Sequence, residues 1–164
     1  MTEIATTYNA NGDPDSVTTT VNGTVTGGAI YHYNQDGHLT SSTEGTTDAN
    51  GAINEITTNY NADGTPDSVT TTVNNTTTAT TAYTYEAGVL GSSTTETFGD
   101  EPSSIKTTYN ANGDPLAVTT TVDGTFTGQI ENTYDQTDGH LLSSSETTPS
   151  GPSHALSLTE IATT

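Results

Sequence analysis

Asn9, Asn11, Asp13 and Asp15 occupy alternate positions around Gly12, and Asn61, Asp63, Thr65 and Asp67 repeat the arrangement around Gly64. Hard divalent cations take about six to eight oxygens from carboxylates, carboxamides and main-chain carbonyls at such short spacing. A calcium ion would be ligated by Asn9, Asn11, Asp13 and Asp15 in the first loop and by Asn61, Asp63 and Asp67 in the second. No Glu follows where a calcium loop supplies its two-oxygen ligand. In the third copy, Asn110 to Leu116, Leu116 replaces the last acid. The same residues have a second reading, because Asn, Asp, Gly and Pro are the types that a turn between strands demands. Both readings stand on sequence alone.

Other chemistry is sparse. His32, His38, His140 and His154 form no ligand pair of recognised spacing, and His38 and His140 fall at turns. No Ser-His-Asp or Cys-His constellation recurs, so the chain is expected not to be an enzyme. Thr18 and Thr20 with Thr24 and Thr26, and Thr70 and Thr72 with Thr76 and Thr78, set Thr-x-Thr pairs on adjacent runs. Ranks of this kind resemble the ice-binding surfaces of some antifreeze proteins, and Thr is equally a common solvent-facing strand residue. Rows of Tyr beside Thr and Asn could instead hold carbohydrate. Asn22-Gly23-Thr24 and Asn74-Asn75-Thr76 are glycosylation sequons, which matter only in a host that reads them.

These candidates lie in a tandem repeat. The run from Tyr8 to Val21 returns from Tyr60 to Val73 and again from Tyr109 to Val122, and fainter copies follow Tyr33, Tyr85 and Tyr134. The six tyrosines are spaced by 25, 27, 25, 24 and 25 residues. Thr, Val and Tyr favour strands, Asn-Gly, Asp-Gly and Pro-Asp mark turns, and no apolar residues recur at helical spacing. Each repeat of about fifty residues therefore reads as four strands. In the first they are predicted at 2–8, 16–21, 24–33 and 38–44. The units are 2–52, 53–102 and 103–154, with 155–164 opening a fourth as a single strand.

One Lys stands against twenty acids, giving a net charge of −19, so nucleic acid is excluded as a partner on electrostatic grounds. No apolar run is long enough to span a membrane as a helix. Cysteine is absent, so no disulfide framework exists. Leu, Ile, Val and Phe number 24 in all, a supply that normally goes with disorder at this charge. Alternation puts Val17, Thr19 and Val21 on one face, and Val25, Gly27, Ala29, Tyr31 and Tyr33 on one face of the next strand. Each strand offers too few apolar groups to hold one repeat, so order is expected from repeats lining up their Val and Tyr rows.

At the six Tyr sites the sequence resembles the YD repeats of bacterial Rhs-type surface proteins and toxins and of animal teneurins. Tyr33-Asn34-Gln35-Asp36-Gly37-His38-Leu39-Thr40 follows the motif of Tyr, an acid or amide, two residues, Gly, one residue and Leu. Tyr134-Asp135 carries the literal dipeptide with one extra residue before Gly139, and Tyr85-Glu86 is one residue short. The resemblance covers about residues 2–147 and implies β-hairpins wound into a long sheet. The Arg common before the motif's Leu is missing, which puts a toxin-casing role in doubt.

The chain is thus expected to be all-β: tandem antiparallel hairpins in three four-strand units, forming an elongated repetitive sheet or a solenoid-like stack. The expected function is a structural segment of an extracellular or cell-surface protein, fibre or adhesin stalk. Its partners would be copies of itself, with carbohydrate or ice binding as the alternative. Thr2-Glu3-Ile4-Ala5-Thr6-Thr7 recurs identically at Thr159 to Thr164, which suggests a window onto a longer array.

Overall fold

The computed structural model describes residues 1–150 and 155–162, and these residues form thirteen β-strands and no helix. The first unit, Met1–Thr80, contains β1 (Thr2–Tyr8), β2 (Pro14–Val21), β3 (Thr24–Tyr33), β4 (Leu39–Thr47), β5 (Ile53–Tyr60), β6 (Pro66–Val73) and the start of β7 (Thr76–Glu86). The second, Thr81–Thr164, contains the end of β7, β8 (Val89–Thr97), β9 (Ser103–Tyr109), β10 (Pro115–Val122), β11 (Thr125–Tyr134), β12 (Leu141–Ser150) and β13 (Ala155–Ala162). Within the first unit β1 to β6 pair antiparallel in chain order. Within the second β8 to β13 do the same. The all-β expectation holds, and β1 and β3 have the predicted limits. The strand expected at 16–21 begins two residues earlier, at Pro14.

Two kinds of turn join the strands, and local chemistry decides each. Asn22-Gly23, Asn74-Asn75, Ala87-Gly88 and Asp123-Gly124 are two-residue connections in which both residues have positive φ, at 51° and 84° for the first pair. That geometry matches the twist of the flanking strands and favours Asn, Asp and Gly. The other connections include loops at 9–13, 34–38, 48–52, 61–65 and 110–114. In each, the first residue's N–H donates to the fifth residue's carbonyl, and the Gly at the fourth position (third position in none) donates back to the first residue's carbonyl.

Pairing defines two faces in each unit. Ile4, Thr19, Gly27, Thr46, Asn54 and Val73 are successive partners across the first unit, which puts Val17, Ala29, Tyr31, Ser42, Glu44, Ile56, Thr58 and Val69 on the same side. This tyrosine face also carries Tyr8, Tyr33 and Tyr60 at the strand ends. In the second unit Ile105, Thr120, Gly128, Val118, Ile130 and Glu146 share one side in the same way.

Four expectations are corrected. Val25 does not join Gly27 and Ala29: the register slips between Thr19 and Thr20, so Val25 pairs with Thr20 on the opposite face. Thr26 is the extra residue of this bulge, and its hydroxyl donates to the Thr19 carbonyl. The slip also breaks the proposed rank of Thr18, Thr20, Thr24 and Thr26, since Thr18 faces Gly28 and Thr20 faces Val25. The expected lining-up of Tyr rows from successive repeats is not found for Tyr8 and Tyr60, because β2, β3 and β4 lie between their strands. Finally, no apolar side chain among residues 1–149 is buried; the one buried residue there is Ser42. Within each unit the strands are held by the backbone ladder and by side-chain hydrogen bonds across it, such as Thr43 with Thr57 and Thr81 with Thr95.

Candidate functional site

The Asn and Asp residues of the loops serve their own backbone. The Asn9 side-chain oxygen accepts from the Asn11 and Asp13 N–H groups at 2.9 and 3.0 Å. Asn34 does the same for Asp36 and His38, Asp48 for Asn50 and Ala52, and Asn110 for Asn112 and Asp114. A turn of this type leaves N–H groups pointing into the loop, and a short side-chain oxygen at the first position satisfies two of them. This is the physical reason for Asn or Asp directly after Tyr.

Of the residues considered as calcium ligands, the structure brings Asn9 and Asp13 together, with the Asn9 amide donating to the Asp13 carboxylate at 3.3 Å. In the second loop Asn61 donates to the Thr65 hydroxyl at 3.0 Å, and Asp63 accepts from the Thr65 hydroxyl at 2.6 Å and from its N–H at 3.0 Å. Those Thr65 bonds hold the Asp63 carboxyl below its ordinary range, the hydroxyl contributing most. Asp15 and Asp67 stand exposed at the starts of β2 and β6, and Asn11 is exposed in its loop. The oxygen of Asn9 is therefore already an acceptor for two donors, as the turn reading requires.

A different group of possible ligands meets in the last described loop. Oxygen or nitrogen atoms of Asp135, Asp138 and His140 lie within 4.8 Å of one another. The spacing carried the signal: this is the loop with one residue more than the motif, which turns Asp138 back onto the His140 ring. Asp135 is held below its ordinary value chiefly by the Thr137 N–H, and Asp138 chiefly by the His140 N–H and then its ring.

The tyrosines reach backward by one strand. Tyr33 of β3 donates its hydroxyl to the Pro14 carbonyl of β2 at 2.9 Å, and Tyr134 of β11 donates to Pro115 of β10 at 2.9 Å. Tyr60 of β5 shares a hydrogen bond with Ser42 of β4 at 3.3 Å, and Tyr109 of β9 shares one with Ser93 of β8 at 3.0 Å. All four tyrosines are half-buried. Tyr8 occupies the same sequence position on β1, the edge strand, and is 64% exposed. Burial first, and then Asp13, Tyr31 and Asp15, raise the ionisation point of Tyr33. The serine and proline partners were not singled out by sequence reasoning, although Pro14, Pro66 and Pro115 recur at one position of the repeat.

The tyrosine face of the first unit also has an open hollow over Val17, Gly27, Ala29, Tyr31 and Glu44. Gly27 leaves room for it, since a Cβ there would lie 2.8 Å from the Gly45 carbonyl oxygen. Nothing about the hollow assembles a nucleophile and a base.

No family model matches the chain, and no curated protein matches it. Among solved structures, a protein of unknown function from Bacteroides fragilis NCTC 9343 is similar over 99% of this chain and 92% of its own, at 10% identity and a TM-score of 0.23.

Proposed function

We propose that the chain is a structural repeat segment of an extracellular surface protein, fibre or adhesin stalk, associating head-to-tail with copies of itself. The observation that carries the proposal is where the tyrosine hydroxyls go. Tyr33, Tyr60, Tyr109 and Tyr134 use theirs to tie each strand to the one before it. Aromatic groups committed in this way support a role in cohesion over one in stacking on sugars. The YD-like motif and the acidic surface agree with that role, because a charge of −19 keeps an exposed sheet soluble.

Strand β1 pairs with β2 on one side, and β13 pairs with β12 on one side. A free strand edge presents unpaired N–H and C=O groups that template pairing with another chain. Joining the β13 edge of one copy to the β1 edge of the next is a heterologous contact, which builds a filament unless rotation closes a ring. Electron microscopy and sedimentation of the purified chain test this directly. Filaments that vanish when residues 155–164 are deleted are expected; a full chain that stays without edge-paired polymers at high concentration refutes the assembly.

A further inference from the structure

Strands β5 and β9 each have two neighbours: β5 pairs with β4 and β6, and β9 with β8 and β10. Strands β1 and β13 stand at the same repeat position and have one neighbour each, β2 and β12. The segment Thr2-Glu3-Ile4-Ala5-Thr6-Thr7 of β1 recurs at Thr159 to Thr164, of which Thr159 to Ala162 lie in β13. The pairs β12–β13 and β1–β2 are thus the two halves of an arrangement that β4, β5 and β6 have whole.

The backbone registers agree. Ile56 is opposite Glu44 on β4 and Thr71 on β6, and Ile4 is opposite Thr19, which holds the place of Thr71 one repeat earlier. On β13 the register is displaced by two residues, since Glu146, in the place of Glu44, is opposite Thr159 rather than Ile161. A strand repeats every two residues, so an even displacement leaves the same backbone groups of the segment on the free edge. The edge that β13 presents is therefore the edge that β2 already accepts from β1.

Strand β1 is weakly held. It is exposed along its whole length, and Tyr8 has no preceding strand to bond. Strand β13 is ordered by β12 before it meets anything else, so a second ladder on it fixes no further backbone. Replacing β1 by the β13 of another copy keeps the ladder to β2 and returns to β1 the freedom it lost on pairing.

We propose that the joint between copies is a strand exchange, in which β13 of one copy takes the place of β1 in the next. Thr159, Glu160, Ile161 and Ala162 then stand opposite Val21, Thr20, Thr19 and Thr18, as Thr2 to Ala5 do in the single chain. The proposal rests on the head-to-tail reading above and specifies how that joint is made. The partner is a second copy of this chain, with β13 as donor and β2 as acceptor.

The absence of cysteine lets cross-linking read the register. Opposed residues of an antiparallel pair have Cα atoms about 4.5–5.5 Å apart, a span that a disulfide bridges. Full chains carrying Glu160→Cys are mixed with chains carrying Thr20→Cys, or with chains carrying Thr72→Cys, and oxidised. Thr72 holds the place of Thr20 one repeat on, but β5 of its own chain covers it, with Glu55 opposite. Exchange predicts that the link between positions 160 and 20 forms at least about tenfold faster than that between 160 and 72, since pairing raises the effective concentration at one register. A second set of variants strikes the same segment at its two places. Consecutive residues turn their N–H groups to opposite edges, so adjacent prolines remove the one that the neighbouring strand needs. Ile4→Pro with Ala5→Pro loosens the resident strand and should lower the concentration needed for association at least about tenfold, because more copies are then competent to accept. Ile161→Pro with Ala162→Pro spoils the donor and should abolish association. Equal rates for the two links, or weaker association with Ile4→Pro and Ala5→Pro, overturn the exchange. If polymers still form in that case, head-to-tail association stands with intact edges joined; if none form, both readings fail.

Discussion

Tyr8 and Tyr60 hold the same place in the repeat and have different surroundings. Tyr60 leans over β4 and shares a hydrogen bond with Ser42, the one buried residue among residues 1–149. Tyr8 is on the edge strand β1, has no strand before it to lean on, and is 64% exposed. The motif therefore does not stabilise its own hairpin by itself. It stabilises the seam between that hairpin and the preceding one, and a repeat without a predecessor gains little from its tyrosine.

The largest expected effect breaks this contrast. Tyr60→Ala removes half-buried aromatic surface and the bond to Ser42, and should cost about 2 kcal/mol. Tyr8→Ala should cost under about 0.5 kcal/mol, as for an exposed site. Equal losses in urea unfolding would show that the seam is not what the tyrosines hold. Next comes the loop side chain: Asn110→Ala orphans the Asn112 and Asp114 N–H groups and should cost about 1 kcal/mol. Asn110→Asp should retain most of that stability, because its oxygen can accept both donors.

Ala87 offers the converse change at a two-residue turn. Its φ of 51° lies in the left-handed region, where Asn74 and Asp123 stand in the equivalent turns. Ala87→Asn should raise stability by about 0.5 kcal/mol, a few degrees or less in melting temperature. A destabilised variant would mean that the side chain at this turn matters for more than its backbone angle.

Smaller effects follow from ionisation. Asp63, Asp135 and Asp138 have lowered folded-state values, so their contribution is present above the ordinary carboxylate value and is lost as pH falls through the folded values. Tyr33 is raised, so its contribution is present below the ordinary phenol value of about 10 and is lost as pH rises through the higher folded one. Ultraviolet titration should find Tyr33 ionising above the ordinary phenol value, as a component that is lost in Tyr33→Phe. The smallest effect concerns calcium. Because Asn9 already accepts from two N–H groups, calcium and magnesium at equal ionic strength should give superimposable melts. A shift specific to calcium, lost in Asp13→Ala with Asp15→Ala, would decide for the ligand reading.

Much of the fold was legible because its punctuation is local. Asn22-Gly23 and Asp123-Gly124 are turn pairs by their own backbone preferences, and they fix the ends of β2, β3, β10 and β11. The face of Val25 was not legible, because the bulge at Thr26 is a matter of pairing between strands and leaves the alternation of residue types untouched. Nor was the relation between Tyr8 and Tyr60. Identical spacing is produced by repeats that stack and by repeats laid side by side in one sheet, and only the hydrogen-bond partners of Ser42 and Pro14 tell them apart. The Asn and Asp loops carried both a ligand and a turn reading for the same reason: the oxygens suit either use until their donors are known.

Every tyrosine contact described above points toward the amino terminus. Tyr33 finds Pro14, Tyr60 finds Ser42, Tyr109 finds Ser93 and Tyr134 finds Pro115, always a strand made earlier. For a chain emerging amino end first from a ribosome or a narrow pore, the docking place of each new hairpin is already in position when the tyrosine appears. Folding can then advance like a zip, one strand at a time, with short loops to close and nothing downstream to wait for. Emergence in the opposite direction would leave each tyrosine exposed until its receiving strand arrived.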